Sequence, residues 1–209
     1  MPPAVVFERP ADRDAELRGR PGEVRFLEIP PITAVMIDGE GPVGETNFAA
    51  RMPGLYATAY GLHFVLKRRG VERRVGMLEG LYWTVDGSTD LDAILGPDRG
   101  TWRWTLLISL PLEAADDELA TALSGGRARL AAEYASDLRI ATFDEGPVAQ
   151  VLHVGPYAEE RPTIERLHAA IAAAGLRPRG RHHELYLGDP RRSAPERLRT
   201  LIRQPVEPA

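Results

Sequence analysis

Cysteine is absent from the 209 residues, which excludes disulfides, thiolate nucleophiles, iron–sulfur ligation and cysteine zinc sites. Stability must then come from packing, and a hydrophobic content of 44% is enough to build a core at this length. Long apolar runs are missing too. None approaches the roughly 18 to 20 residues of a membrane span, and the opening Met1 to Arg20 is charged where a signal peptide would be apolar. A soluble, cytoplasmic protein without a membrane partner is expected. An excess of positive charge is also lacking: 26 basic residues against 30 acidic ones give a net charge of −4, so the overall field repels phosphate. Nucleic acid is not expected as a partner.

What is present is an order of elements. Residues 1–21 mix prolines with opposite charges and read as an arm strapped to the surface. Ile32 to Asp38 is a β-branched run closed by Gly39, Gly41 and Pro42, the pattern of a strand followed by a loop. Phe48, Met52, Leu55, Ala59, Leu62 and Leu66 then recur at helical spacing. Pro53 fits only the first turn of a helix, so the regular part is expected from about Met52. Strands are expected over Arg74 to Val85 and Thr101 to Leu110, separated by the turn-rich Asp86 to Gly100. A connector helix, Asp116 to Ser136, is weakened in its middle by Gly125 and Gly126 and leads into a strand from Leu138 to Phe143.

Beyond Gly146-Pro147 the order repeats as strand Val148 to Val154, loop Gly155-Pro156-Tyr157, helix Thr163 to Ala174, strand His182 to Leu187 and a strand near Leu198 to Arg203. His168 falls on the apolar stripe of that helix, in the core or at its edge. The expected fold class is α+β: a pseudo-twofold duplication of a βαββ unit, with antiparallel-rich sheets, helices on one side and a central ligand groove. The repeats span about 22–112 and 138–206 and form one domain over 22–206.

Strand alternation then suggests a site. His182, Glu184 and Tyr186 share one face of their strand, while Leu185 and Leu187 share the other and belong against the helices. Glu79 and Trp83 share a face of the earlier strand, and Trp102 and Trp104 point the same way. If the repeats pair, Glu79, Trp83, Trp104, Glu184 and Tyr186 line one groove, and carboxylates among aromatic rings suit flat or cationic organic molecules. The same alternation also fits ordinary core tryptophans and solvent-facing glutamates, and periodicity does not choose between the two.

Other patterns carry less. The run Gly39-Glu-Gly-Pro-Val-Gly44 has dinucleotide-binding spacing, but Pro42 removes an amide that a phosphate would need, so no cofactor is expected. His182-His183-Glu184 puts only two ligand-type residues on one face, one short of a catalytic zinc set, so no metal is expected. His153 is expected to anchor the Gly-Pro-Tyr loop by a hydrogen bond. No serine stands in a nucleophile elbow. Arg177, Arg179, Arg181, Arg191, Arg192, Arg197, Arg199 and Arg203 read as a solvated rim.

The stretch from Phe143 to Val206, with HVGPY, RHHELYLGDPRR and LIRQPV, resembles the second half of the GyrI-like small-molecule-binding domains. GLYATAYGLHFVLKRRG, LEGLYW and WRWTLLISLP resemble the stand-alone subfamily that includes cyclopropanoid cyclopropyl hydrolases. The resemblance covers roughly residues 22–206. It implies a paired βαββ fold with a central groove, an aromatic cage, and a pocket glutamate at the ELY position, here Glu184. Gly188 departs from the serine common in the family. The implied substrates are DNA-alkylating natural products whose cyclopropane is conjugated to a dienone, and the implied reaction adds water across the strained ring. Glu184, with its pKa raised by aromatic surroundings, is expected as the base. Tyr56 is expected to donate a hydrogen bond to the carbonyl oxygen, with Tyr60 and Tyr186 as alternatives. Trp83 and Trp104 would stack on the ligand, and Tyr157, Glu79, Tyr60, Tyr186 and His182 complete the substrate-binding set. A non-catalytic protein that sequesters amphipathic or cationic drugs would use the same cage.

Overall fold

The computed structural model describes residues 5–42, 45–87 and 102–209. Most of the expected loop from Asp86 to Gly100 therefore lies outside the described residues. The architecture is mixed α and β. In chain order the elements are α1 (Arg13–Glu16), β1 (Val24–Ile29), β2 (Ile32–Glu40), α2 (Glu45–Arg68), β3 (Glu79–Thr84), β4 (Trp102–Ser109), α3 (Asp116–Arg127), α4 (Ala132–Ala135), β5 (Arg139–Phe143), β6 (Gly146–Val154), α5 (Arg161–Ala173), β7 (Leu176–Pro178), β8 (His182–Tyr186) and β9 (Arg199–Pro208). Two compact units divide them: residues 32–80 and 98–143 form one, and residues 1–31, 81–97 and 144–209 form the other.

In the unit of residues 32–80 and 98–143, β2 pairs antiparallel with β4 on one side and β5 on the other. Helix α2 starts at Glu45, earlier than the proline rule suggests, and carries Pro53 in its interior. The turns before Pro53 are tied down by side chains. Arg51 donates from Nε to the carbonyl of Asp38 at 2.9 Å and from Nη1 to that of Asn47 at 3.2 Å, and its guanidinium stacks on the Tyr134 ring at 4.1 Å. Of the two glycines expected to weaken the connector, Gly125 has open space around it, while Gly126 serves a close helix crossing. A Cβ on Gly126 would meet Thr58 Oγ1 at 2.0 Å, and one on Gly54 would meet the Leu130 side chain at 2.6 Å. Small residues let the two helices approach, and the connector divides into α3 and α4. Gly39 has a similar explanation. It lies within β2, opposite Trp104, where a Cβ would stand 2.1 Å from the indole.

In the other unit the strand order is β1-β6-β9-β8-β3, with β7 on β9, and β1, β6, β9 and β8 pair antiparallel. The expected strand from Arg74 is shorter, since regular pairing begins at Glu79. The last strand is longer than expected and reaches Pro208. Ile164, Leu167 and Ile171 of α5 pack on Ala149, Val151, Ile202 and Val206 of β6 and β9. Each of the Val, Leu and Ile side chains contributes about 1.5 to 3 kcal/mol on burial.

The opposite face of these strands is covered as well, by the arm. Gly19 lies against Leu152 and Leu201, Glu8 bridges to Leu27 and Pro21 to Leu152, and Phe7 meets Phe26 edge-on at 6.1 Å. This corrects the facing of β8. Glu184 pairs with Ile202 and Leu185 with Leu201, so His182, Glu184 and Tyr186 are on the side of α5 while Leu185 is on the side of the arm. Alternation separates two faces. It does not say which one a helix covers when both are buried.

Candidate active site

The site is built on β8. Gly180, at φ +64°, makes the turn that feeds the strand, and the period-two pleat then places His182, Glu184 and Tyr186 in a row. Tyr186 Oη donates to Glu184 Oε2 at 2.8 Å, and His182 Nε2 lies 3.2 Å from Glu184 Oε1. Strand β3 adds Tyr82, whose hydroxyl is 2.5 Å from that of Tyr186. A phenol has one proton. With the proton of Tyr186 on Glu184, Tyr82 is the donor to Tyr186. The Gly155-Pro156-Tyr157 loop closes one side, with the Tyr157 ring edge-on to Tyr186 at 5.5 Å between centroids. His153 anchors this loop through contacts to Thr163 Oγ1 at 3.0 Å and to the Pro156 carbonyl at 3.3 Å. Tyr157 is 38% exposed and the Glu184 side chain 16%, so the row reaches water at this edge.

The electrostatics correct one expectation. Burial raises the pKa of Glu184, but the hydrogen bonds from His182 and Tyr186 outweigh burial, and the carboxyl is held below its ordinary value. The phenols go the other way. Burial, reinforced by the charge of Glu184, pushes Tyr82 and Tyr186 well above 10, and burial with Glu160 and Glu184 raises Tyr157. Burial, then His182, lowers His168 on α5 to about 4. At neutral pH the row therefore presents an ionised carboxylate beside protonated phenols, a base adjoining hydrogen-bond donors. His182 Nδ1 and His168 Nε2 are buried without a hydrogen-bond partner.

The remaining candidate residues are placed as follows. Trp83, on β3, has the guanidinium of Arg181 over its ring at 3.8 Å. Trp104 is fully buried, with Phe48 at 4.9 Å and the Arg51 guanidinium at 5.3 Å from its ring. Glu79 is fully buried at the start of β3. Tyr56 and Tyr60 lie on α2, their rings 6.3 Å apart, with Tyr60 about half exposed next to His63 and Phe64. The structure thus brings Glu184, Tyr186, His182 and Tyr157 together, and Trp83 shares their unit. Glu79, Tyr56, Tyr60 and Trp104 belong to the unit of residues 32–80 and 98–143. Among the described residues no group of three or more His, Asp or Glu is placed to hold a metal ion, and no helix is long and apolar enough to cross a membrane.

Tyr82 escaped the sequence reading because strict alternation puts it opposite Trp83. A buried tyrosine in LEGLYW was the available signal, since a buried phenol demands a partner. A second polar network, on the arm face of β8, was also missed. Arg203 is fully buried and donates to Gln150 Oε1 at 2.6 Å, Glu145 Oε2 at 3.2 Å and Glu16 Oε1 at 2.6 Å. Glu145 also contacts His183 Nδ1 at 2.8 Å. Burial raises Glu145, yet His183 and Arg203 overcome it and hold the carboxyl at about 2. Arg203 does not belong to a solvated rim. It binds the arm, through Glu16, to β6 and β9.

Residues 113–207 match the profile of the GyrI-like small molecule binding domain. Whole-chain similarity extends to solved structures from Listeria innocua. An uncharacterized conserved protein aligns at 29% identity and TM-score 0.78, over 93% of this chain and 97% of its own. A hydrolase aligns at 26% identity and TM-score 0.74, over 95% and 99%. A second hydrolase aligns at 27% and 0.74, over 97% and 100%. Comparison with the curated proteins finds no match. The row on β8, the helix and loop that border it, and the long strand β9 as far as Glu207 all fall within the stretch that is similar to the GyrI-like small-molecule-binding domain.

Proposed function

We propose that this protein is a hydrolase that takes up flat, unsaturated organic molecules and opens an activated cyclopropane in them by adding water, a detoxifying reaction on DNA-alkylating cyclopropanoids. The observation that carries the reading is the hydrogen bond from Tyr186 to Glu184, with His182 on the other carboxylate oxygen. The two Listeria hydrolases, at 26% and 27% identity, support the same class of activity.

In the reaction a water oxygen bonds to the less substituted cyclopropane carbon, and the strained carbon–carbon bond breaks. Its electron pair moves through the dienone to the carbonyl oxygen, which becomes a phenolate. Glu184 takes the proton that water releases. Once neutral, Glu184 no longer holds the Tyr186 proton, and Tyr186 donates to the oxygen that gains charge. The proton on Glu184 then passes to the phenolate, which restores the carboxylate and leaves a phenol, so the product is the substrate plus one water. Of the expected donors, Tyr186 touches Glu184, so it takes the donor role here. Loss of turnover in Tyr56→Phe with turnover retained in Tyr186→Phe would move that role to α2.

The test is incubation with an activated spirocyclopropane and mass detection of a product heavier by one water. Glu184→Gln should lower turnover by about 10²- to 10⁴-fold, the range for loss of a general base, while binding persists. Turnover at the wild-type rate would remove Glu184 from the role. A second reading, a binder that sequesters cationic drugs, draws support from Trp83, whose face already accommodates the Arg181 guanidinium. A stoichiometric complex with intact ligand would favour it.

A further inference from the structure

We propose that Tyr82 is a positioning residue for Glu184, acting through Tyr186 to fix the direction in which Tyr186 presents its proton. The inference rests on the hydrolase reading and names a residue that the family resemblance did not assign. Tyr82 is 3% exposed on β3, the sheet neighbour of β8, so its ring has little freedom to turn away. Its hydroxyl stands 2.5 Å from that of Tyr186, which stands 2.8 Å from Glu184. Because the single proton of Tyr186 goes to the carboxylate, the oxygen of Tyr186 must accept from Tyr82. Phenylalanine would fill the same core volume. The hydroxyl therefore has work beyond packing, since a donor at the end of a hydrogen-bond chain polarises the next bond and strengthens it.

Glu184 is faced by His182 and Tyr186 from its own strand, by Tyr82 from β3, and by Tyr157 from the loop leading into α5, while Glu160 of that loop acts on Tyr82 and Tyr157. His183 acts on Glu184 from the same strand, and His168 of α5 faces His182. His168, at about 4, titrates in the same acid range. A comparison of variants cancels its share, because His168 and Glu160 are common to all of them.

The experiment is the pH dependence of kcat/KM for an activated spirocyclopropane in the full chain, compared among wild type, Y82F and Y186F. Wild type loses activity on the acid side only below the ordinary glutamate range, because the donors stabilise the charged carboxylate. Y82F should move that acid limb upward by about 0.5 to 1 pH unit, the equivalent of one net hydrogen bond. The same variant should lower kcat several-fold at neutral pH with KM unchanged, and Y186F should move the limb further. A Y82F limb that superimposes on wild type overturns the inference. If Y82F fails to fold, 3-fluorotyrosine placed at position 82 alone strengthens donation and should move the limb down, and an unmoved limb again overturns it. Absence of the product heavier by one water in wild type would instead overturn the hydrolase reading, a result distinguishable from either outcome at Tyr82.

Discussion

Strand β8 has a carboxylate network on each face, and the two differ in what holds the charge. On the arm side Glu145 is fully enclosed and contacts Arg203 and His183, with Glu16 on the same guanidinium. On the α5 side Glu184 is 16% exposed and held by a phenol and an imidazole. An arginine cannot give up its proton at any ordinary pH, so Glu145 stays locked as a fixed anion in an ion pair. Glu184 is stabilised by donors that can turn to another acceptor, at an edge that water reaches. Burial of a glutamate does not by itself mark it for catalysis. The mobility of the protons around it separates a structural carboxylate from a usable base.

Stability measurements sharpen this contrast. Arg203→Ala removes the guanidinium that Glu16 and Glu145 share, leaving Glu16 to Arg13 and Glu145 to His183 alone, and denaturant unfolding should show a loss of about 3 to 5 kcal/mol. A loss below about 1 kcal/mol would mean that the arm-side network is not structural. The acid dependence gives the next effect. Glu145 has an ordinary value of 4.5 and sits at about 2 when folded, so its contribution is complete above 4.5 and is lost as pH falls through 2. The difference corresponds to about 3 kcal/mol. Glu145→Gln should flatten the stability curve across that window. His168, lowered from 6.5 to about 4, gives an effect of the same sign and similar size, lost between pH 6.5 and 4 as the unfolded chain takes up a proton that the folded one refuses. His168→Gln should remove the decline in that upper window alone.

Much of the fold could be read from periodicity. The β-branched run of β2, the helical spacing of α2 and the apolar stripe of α5 each report a local preference that packing then reinforced. The facing of β8 could not be read, because Leu185 and Glu184 are both covered, one by the arm and one by α5. Arg203 was hidden for a related reason. One arginine among many reads as surface unless its acidic partners are known, and Glu16 is 187 residues away along the chain. In the candidate site, the row His182, Glu184 and Tyr186 followed from the pleat alone. The lowered pKa of Glu184 did not follow, since it depends on whether its neighbours act as donors or only as apolar cover.

The measurement that reaches the centre of this account is turnover per folded molecule in Glu184→Gln and Glu145→Gln, side by side on one activated spirocyclopropane. The account predicts that Glu184→Gln folds normally and loses turnover, while Glu145→Gln loses stability and turns over at the wild-type rate wherever it remains folded. Undiminished turnover in Glu184→Gln, with turnover abolished in folded Glu145→Gln, would contradict it.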